Sequence, residues 1–228
     1  MKTIFWAGDS TVKQNSILTY PQTGIGQMLD RYLQKGAVAI SNHAENGRST
    51  KSFMDEGRVA AIYDDIRQGD FLFVQFGHND EKADPARYTE PFGSYQENLR
   101  LYINAARQAG AYPVLITPIA RRLFDEAGNF RPGSHGQYPE AMRQLAKQEN
   151  VPLADLTALT EAYIEKVGDL PSKPWFMWPK DNTHLKPEGA VIMAGFLARE
   201  LKKMGGVYAE ILTDFDKPEE IVPVDALP

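Results

Sequence analysis

The chain has 228 residues, of which 43% are hydrophobic and 24% are charged, as in an ordinary globular protein rather than a disordered or fibrous one. Its formal charge of −5, without a cluster of lysines and arginines, argues against a nucleic-acid binder, because neutralising phosphates requires clustered cations. The sequence contains no cysteine, which excludes disulfides, thiolate catalysis and cysteine-ligated metals.

The beginning of the chain, MKTIFWAGDS, lacks the pattern of a secretion signal, since its apolar segment is too short for the core of a signal peptide. No apolar run approaches the roughly 20 residues that cross a bilayer. The lack of cysteine also fits a reducing compartment. We therefore predict a cytoplasmic protein without a membrane partner.

In chain order, short apolar runs alternate with helical patterns. The runs predict strands at residues 3–7, 37–41, 70–76, 113–117 and 151–155, and helical patterns cover 26–34, 94–110, 138–148, 156–167 and 187–203. Parallel neighbouring strands require crossover connections, so this alternation predicts one domain over residues 1–228 with a doubly wound parallel sheet. The tail, residues 205–228, carries several acids and prolines and is predicted to be a surface extension.

Four of the predicted strands are followed by polar motifs. GDST follows the first strand, NHAENGRST the second, GHND the third and PIARR the fourth. In doubly wound sheets the loops at the carboxyl ends of the strands line the ligand crevice. These motifs are therefore expected at one rim of the sheet.

A serine nucleophile at Ser10 would need a base and a group that orients the base. Among the four histidines, His184 lies three residues after Asp181 and just before the last helical pattern. This spacing can bring a carboxylate and an imidazole together at a helix entrance. The structural alternatives are that Ser10 is a helix cap and that Asp181 is a turn residue beside an exposed His184.

Two further residues suit the binding of an oxyanion. The side-chain amide of Asn79 can donate a hydrogen bond to one, although the residue can equally form an Asx turn at the strand end. Gly47 lets a backbone N–H approach a ligand closely, although a glycine after an asparagine is usually a turn former. His78, next to Asn79, is an alternative side chain to face the crevice.

Rival motifs are weaker. Ser134 and His135 in RPGSHGQ approach the G-x-S-x-G elbow, but a proline replaces the first glycine and no strong strand precedes them, so a rim loop is predicted. His43 is predicted to be a hydrogen-bonded structural residue. A binuclear metallophosphoesterase lacks its Asp-x-His and His-x-His ligands here, and TGIGQML lacks the third glycine of a dinucleotide site.

The four blocks in this order, GDST, NGRS, GHND and DNTH, resemble those of the SGNH, or GDSL-like, hydrolases. The fuller forms GDSTV, NGRSTKSF, FGHND and DNTHLKPEGA look most like the rhamnogalacturonan acetylesterase branch of that superfamily. Thr11 and Val12 replace the leucine-containing sequence of the GDSL namesake, which favours the carbohydrate-esterase branch over lipases. The resemblance spans the chain from the first strand to the last helix.

This resemblance implies a flavodoxin-like three-layer α/β/α sandwich with a central, mostly five-stranded parallel sheet. It implies hydrolysis of an ester through an acyl-serine intermediate, with Ser10 as nucleophile, His184 as general base and acid, and Asp181 orienting His184. The backbone N–H groups of Ser10 and Gly47 and the side chain of Asn79 would bind the oxyanion. No metal or organic cofactor is required.

The substrate implied by the resemblance is an acetylated pectic oligosaccharide of the rhamnogalacturonan class. A negatively charged protein that accepts uronates needs local positive charge, which rim arginines can supply. The alternative for the adjacent pair Arg121 and Arg122 is a solvated surface. The candidate substrate contacts are Arg48, Arg121 and Arg122 for carboxylates, Trp175 or Trp178 for a sugar face, and His78.

Two alternative functions remain open at this point. One is a general short-chain esterase, thioesterase or lysophospholipase of the same superfamily, which acetyl sugars and longer acyl esters would distinguish. The other is a catalytically silent carbohydrate-binding protein. Retention of all the expected catalytic side chains speaks against silence.

Overall fold

The computed structural model describes residues 1–215 and contains a five-stranded parallel sheet. The strand order is β2-β1-β3-β4-β5, so the chain reverses its winding direction between β1 and β3. In open α/β sheets the ligand crevice lies at this reversal, beyond the carboxyl ends of the strands. The strands are β1 (Lys2–Gly8), β2 (Val38–Asn42), β3 (Phe71–Gln75), β4 (Tyr112–Ile116) and β5 (Leu153–Ala154).

Helices cover both faces of the sheet. Helices α1, α6 and α8 contribute to the core on one face, and α2, α3, α4 and α5 contribute to the core on the other. This is the predicted three-layer α/β/α sandwich. The helices are α1 (Ile25–Met28), α2 (Thr50–Asp55), α3 (Arg58–Asp65), α4 (Gln96–Gln108), α5 (Tyr138–Glu149), α6 (Leu156–Val167), α7 (Asp169–Ser172), α8 (Pro187–Met204) and α9 (Gly206–Ala209).

The two-sided burial explains why the strands read as continuous apolar runs. Ile4 and Trp6 point into the core on the side of α8, whereas Phe5 and Ala7 point into the core on the side of α4. Successive side chains of a strand face opposite ways, so a strand covered on both faces needs apolar residues at every position. Within the described residues, no helix combines the length and apolarity needed to span a bilayer.

Two helices between β2 and β3 were not predicted. Helix α2 begins at a capping box, in which the Ser49 hydroxyl accepts from the Ser52 N–H and the Ser52 hydroxyl accepts from the Ser49 N–H. Gly57 separates α2 from α3 with a left-handed φ of 73°. With six and eight residues, both helices are too short to give a clear sequence period.

Two predicted segments, the first helix and the C-terminal extension, also differ from the structure. The first helical pattern gives only α1 and a 3₁₀ turn, because the N–H of Gln34 donates to the carbonyl of Ile211 and draws the chain out of the helix. The prediction of a surface extension from residue 205 is wrong for its first part. Ile211, Leu212 and Phe215 are buried against the main core, and residues 216–228 lie outside the described part.

Candidate active site

Ser10 stands on a tight turn at the end of β1. The side chain of Asp9 holds this turn, because its Oδ1 accepts hydrogen bonds from the N–H of Thr11 at 2.9 Å and from its hydroxyl at 2.7 Å. A Cβ on Gly8 would lie 2.3 Å from the Val12 side chain, so only glycine fits where the turn folds back. The sequence GDST therefore presents the Ser10 hydroxyl at the reversal between β1 and β3.

A chain of hydrogen bonds joins Ser10, His184 and Asp181. The Ser10 Oγ lies 2.9 Å from the Nε2 of His184, and the Nδ1 of His184 lies 3.2 Å from the Asp181 Oδ2. For a neutral imidazole with its proton on Nδ1, Nε2 is free to accept the serine proton. The three residues of the predicted catalytic set are thus in hydrogen-bonding reach, in the order that nucleophilic catalysis requires.

Asp181 is fixed by its own loop as well as by the imidazole. Its Oδ1 accepts hydrogen bonds from the N–H of Thr183 at 2.9 Å and of His184 at 2.7 Å. Partial burial pushes the pKa of Asp181 upward, but these backbone donors and the electrostatic interaction with His184 outweigh burial and hold it below 3.8. Asp181 is therefore ionised at neutral pH and can stabilise an imidazolium.

The predicted oxyanion contacts are three hydrogen-bond donors, the N–H groups of Ser10 and Gly47 and the side-chain amide of Asn79. Gly47 adopts a φ of 76°, and its loop is tied to β1 by the Glu45 N–H, which donates to the Gly8 carbonyl at 3.1 Å. The Asn79 Nδ2 donates to the Arg48 carbonyl at 3.0 Å, which leaves its second hydrogen free. Among the described residues, the N–H groups of Ser10 and Gly47 have no acceptor.

Asp80 ties together the loops that carry these donors, and its role was missed in the sequence. Its Oδ1 accepts from the N–H of Thr50 at 3.0 Å and from the hydroxyls of Thr50 and Thr89 at 2.6 and 3.0 Å. Complete burial raises the pKa of Asp80 to about 7 despite these donors. The strand-end GHND motif suggested Asn79 but gave no sign that its neighbour would reach α2.

The predicted substrate contacts Arg48 and Arg121 are both partly accessible and already paired. The Arg48 guanidinium binds Glu56, with an Nη2 to Oε1 distance of 2.7 Å. Arg121 binds Glu81 and donates to the carbonyl of Ser134 at 2.9 Å. A substrate carboxylate would compete with these partners for either guanidinium.

Arg122, His78 and Trp175 are corrections to the sequence-based predictions. Arg122 is only 2% exposed, and its guanidinium donates to Asp169 and Ser172 rather than facing solvent. His78 is buried, and burial together with the charges of His135 and Arg121 lowers its pKa well below 6.5. Trp175 is 6% exposed and stacks on a neighbouring tyrosine at 5.3 Å, so it offers no face to a sugar.

Trp178 retains the exposure that a sugar-binding residue needs. It is 39% exposed, and its ring lies 4.9 Å from the Arg122 guanidinium and 5.1 Å from the Lys173 Nζ. These contacts hold the ring in place without covering it completely. Its contact with substrate stays a prediction.

The rival serine is not presented to a base. The hydroxyl of Ser134 accepts from the backbone N–H of Arg121 at 3.1 Å. The neighbouring His135 is buried, with Nε2 2.7 Å from the Ile119 carbonyl and Nδ1 3.4 Å from the Glu81 carboxylate. His43 is the predicted structural residue, with Nε2 3.0 Å from the Ser41 hydroxyl.

Comparisons with known proteins identify the family to which the chain belongs. The model of the GDSL-like Lipase/Acylhydrolase family matches residues 7–192, which span all four motifs. The chain belongs to this family of carboxylic ester hydrolases, and the superfamily inferred from the four motifs is thereby confirmed.

Three individual relatives show which members of the family this chain resembles. The chain is 40% identical to "Rhamnogalacturonan acetylesterase RhgT" of Bacillus subtilis, covering 89% of this chain and 90% of the relative. It is 42% identical to "Probable rhamnogalacturonan acetylesterase YesY" of the same organism, covering 89% and 93%. The crystal structure of YxiM from B. subtilis superimposes with a TM-score of 0.80 at 30% identity; the match covers 90% of this chain but only 57% of that one.

Proposed function

We propose that this protein is a serine esterase that removes acetyl groups from rhamnogalacturonan oligosaccharides. The observation that carries the proposal is the hydrogen-bonded chain from Ser10 through His184 to Asp181 at the crevice of the sheet. Two relatives that carry rhamnogalacturonan acetylesterase in their names support the choice of substrate.

In the first half of the reaction, the Ser10 Oγ attacks the acetyl carbonyl while the Nε2 of His184 takes the serine proton. The imidazolium formed in this step is stabilised by the ionised carboxylate of Asp181. The carbonyl oxygen becomes an oxyanion that the N–H groups of Ser10 and Gly47 and the Nδ2 of Asn79 bind. Pre-positioned donors of this kind stabilise the developing charge without reorganising.

The tetrahedral intermediate then collapses with cleavage of the bond to the sugar oxygen. His184 returns its proton to that oxygen, so the sugar leaves as an alcohol and an acetyl-serine remains. In the second half, His184 takes a proton from water, which attacks the acetyl carbonyl, and returns that proton to the Ser10 Oγ as acetic acid departs. The acid then releases its own proton to solvent and becomes acetate. Atoms and charges balance with water as the only co-reactant.

The predicted substrate contacts differ in how accessible they are to a charged sugar chain. Among the predicted substrate contacts, the side chains of Arg48 and Trp178 are partly exposed to solvent. Arg121 needs to release Glu81 before it can bind a uronate. A cytoplasmic location stays a prediction of the sequence alone.

The test is acetate release from defined acetylated rhamnogalacturonan oligosaccharides, with a panel of longer acyl esters and thioesters beside them. We expect the highest kcat/KM on the acetylated oligosaccharides and loss of turnover in Ser10→Ala. Faster turnover of long acyl chains would instead indicate a general acyl esterase or lysophospholipase. Binding of the oligosaccharide without turnover by the wild-type protein would indicate a silent carbohydrate binder.

A further inference from the structure

The residues that carry the proposed acid–base pair lie on one closed loop, residues 177–184, which we call the acid–base loop. The antiparallel bridge between Phe176 and Leu185 closes its base, together with the N–H of Met177, which donates to the His184 carbonyl at 2.8 Å. The Lys180 N–H donates to the Met177 carbonyl at 2.9 Å and forms the turn. Within the loop, Asp181 is held by hydrogen bonds to Thr183 and His184, so the next question is what holds the loop against the rest of the fold.

Arg122 contacts the acid–base loop at two separate points. Its backbone N–H donates to the carbonyl of Asn182 at 2.8 Å, immediately after Asp181 in the chain. Its guanidinium lies 4.9 Å from the ring centroid of Trp178, at the start of the loop. One residue in the loop after β4 therefore contacts both arms of the acid–base loop.

The guanidinium of Arg122 is itself held firmly. Its Nε donates to the Ser172 hydroxyl at 3.0 Å, and its Nη2 donates to the carbonyl and the carboxylate of Asp169. The Phe124 ring lies 5.0 Å away, and the side chain is 2% exposed. A buried guanidinium with a paired carboxylate, planar hydrogen bonds and aromatic neighbours has one favoured geometry.

We propose that Arg122 is a positioning residue that fixes the acid–base loop, so that the Asp181 carboxylate stays on the Nδ1 of His184 and the Nε2 stays on Ser10. The proposal rests on the proposed function of this triad. Arg122 touches neither substrate nor the reacting atoms; it acts through Asn182 and Trp178. This role replaces the uronate contact that the sequence suggested for Arg122.

The test compares Arg122→Met and Arg122→Lys with wild type on a small neutral acetyl ester such as 4-nitrophenyl acetate. Small displacements of catalytic groups reduce rates strongly, so we expect kcat to fall about 10- to 100-fold in Arg122→Met with KM nearly unchanged. Arg122→Lys restores the charge without the planar fork and should recover activity only in part. Arg143→Met is the matched control, because Arg143 also pairs with an aspartate, Asp155, and none of its hydrogen bonds or ion pairs among the described residues reaches the acid–base loop.

The second readout is the downfield proton resonance of the His184 Nδ1–H, which reports its hydrogen bond to Asp181. We expect this resonance in wild type and Arg143→Met, and its broadening or loss in Arg122→Met. Trp178→Ala removes the stacking partner but leaves the buried ion pair, so it tests the same role if Arg122→Met does not fold. It should also lower kcat and broaden the resonance, whereas the Arg143→Met control should preserve both.

A folded Arg122→Met protein with wild-type kcat and an unchanged resonance would overturn the proposal, as would a Trp178→Ala protein that keeps both. A rise in KM for the oligosaccharide alone, with kcat unchanged, would also overturn it and favour direct substrate binding. A different result would show that the proposed function itself is wrong. In that case Ser10→Ala would hydrolyse esters normally, while the resonance would still report whether Arg122 orders the Asp181–His184 pair.

Discussion

The side-chain amide of Asn79 donates a hydrogen bond of 3.0 Å to the backbone carbonyl of Arg48. This bond joins the loop after β3 to the loop after β2. It uses one of the two Nδ2 hydrogens and orients the other, so Asn79 has a structural and a proposed catalytic hydrogen bond on the same atom. The backbone carbonyl of Asn79 accepts from the Lys82 N–H at 3.1 Å, so the residue lies in a backbone turn, and its second Nδ2 hydrogen is available for the predicted oxyanion bond.

The first prediction concerns this amide. We expect Asn79→Ala to lower kcat for acetyl esters by about 10²- to 10³-fold, because a fixed donor to the oxyanion is lost. KM should change little, since the donor acts mainly in the transition state. Steady-state kinetics on a small acetyl ester check this.

Asn98→Ala provides the matched control for Asn79→Ala. The Asn98 Nδ2 likewise donates a hydrogen bond that joins two elements, from α4 to the Thr50 hydroxyl of α2 at 3.1 Å, but it is not one of the proposed oxyanion donors. We expect a stability loss in both variants and a large kcat loss only in Asn79→Ala. Equal kcat losses after correction for folding would show that Asn79 acts only as a tether.

The second prediction concerns the backbone of Gly47. Its φ of 76° is unfavourable for alanine although a Cβ there would meet nothing within 4 Å, so strain comes from the backbone and not from a clash. We expect Gly47→Ala to lower the free energy of unfolding by about 1–2 kcal/mol. It should also lower kcat about tenfold, because relaxation of the turn moves the N–H that faces the oxyanion.

Gly36 is the control for Gly47. It has a φ of 77° with equally open space, but it precedes β2 and lies at the opposite end of the sheet from Ser10. Chemical denaturation should give similar stability losses for the two alanine variants, and only Gly47→Ala should lose activity. A Gly36→Ala enzyme as impaired as Gly47→Ala would assign the loss to general destabilisation.

The third prediction concerns the pH dependence of stability. Burial raises the pKa of Asp80 from 3.8 to about 7, so between these values the folded protein keeps a proton that the unfolded chain releases. Asp80 therefore stabilises the fold fully below pH 4, and this contribution is lost as the pH rises through about 7. We expect the stability of Asp80→Asn relative to wild type to increase from pH 4 to pH 8.

Denaturant unfolding at each pH measures this difference. Asp84→Asn is the control, because Asp84 is exposed and hydrogen bonds from Ala86 and Arg87 lower its pKa, so its titration lies below this window. The difference between Asp84→Asn and wild type should stay constant from pH 4 to pH 8. A constant difference for Asp80→Asn as well would contradict a raised pKa at Asp80.

The fourth prediction concerns Asp181. We expect Asp181→Asn to lower kcat by about 10²- to 10⁴-fold, because the imidazolium loses its charged partner and the amide can favour the wrong tautomer of His184. Kinetics across a pH series measure this. Wild-type kcat in an Asp181→Asn protein would assign Asp181 a purely structural role in its loop.

Asp181 also links stability to pH with the opposite sign to Asp80. Its pKa is lowered in the fold, so its contribution is present above pH 3.8 and is lost as the pH falls through the lowered folded value. The stability difference between wild type and Asp181→Asn should therefore shrink in strong acid. A difference that grows on acidification would contradict the lowered pKa.

Much of the fold was predictable because strands covered on both faces leave a strong signal. The five apolar runs match the five strands to within two residues at each end, and the helical pattern at 156–167 matches α6. Helices α2 and α3 were missed since their limits depend on a capping box at Ser49 and a left-handed Gly57. Such local features do not produce a helical period.

The candidate site was predictable where a residue lies in a short motif just after a strand, as Ser10 and Asn79 do. It was not predictable where the role depends on a distant partner. The sequence suggested that Arg122 is a substrate contact or a solvated surface residue, but contacts with Asp169 and Trp178, which are distant in the sequence, surround its guanidinium. The same holds for Asp80, whose partner Thr50 lies 30 residues away.

The central claim is that catalysis proceeds through an acyl group on Ser10. The most direct measurement is rapid quenching of the enzyme with an acetyl ester, followed by peptide mapping by mass spectrometry. We predict one acetyl group on the peptide that contains Ser10, absent in Ser10→Ala and unaffected by Ser134→Ala. Acetylation of another residue, or acetate release by Ser10→Ala at the wild-type rate, would contradict the account.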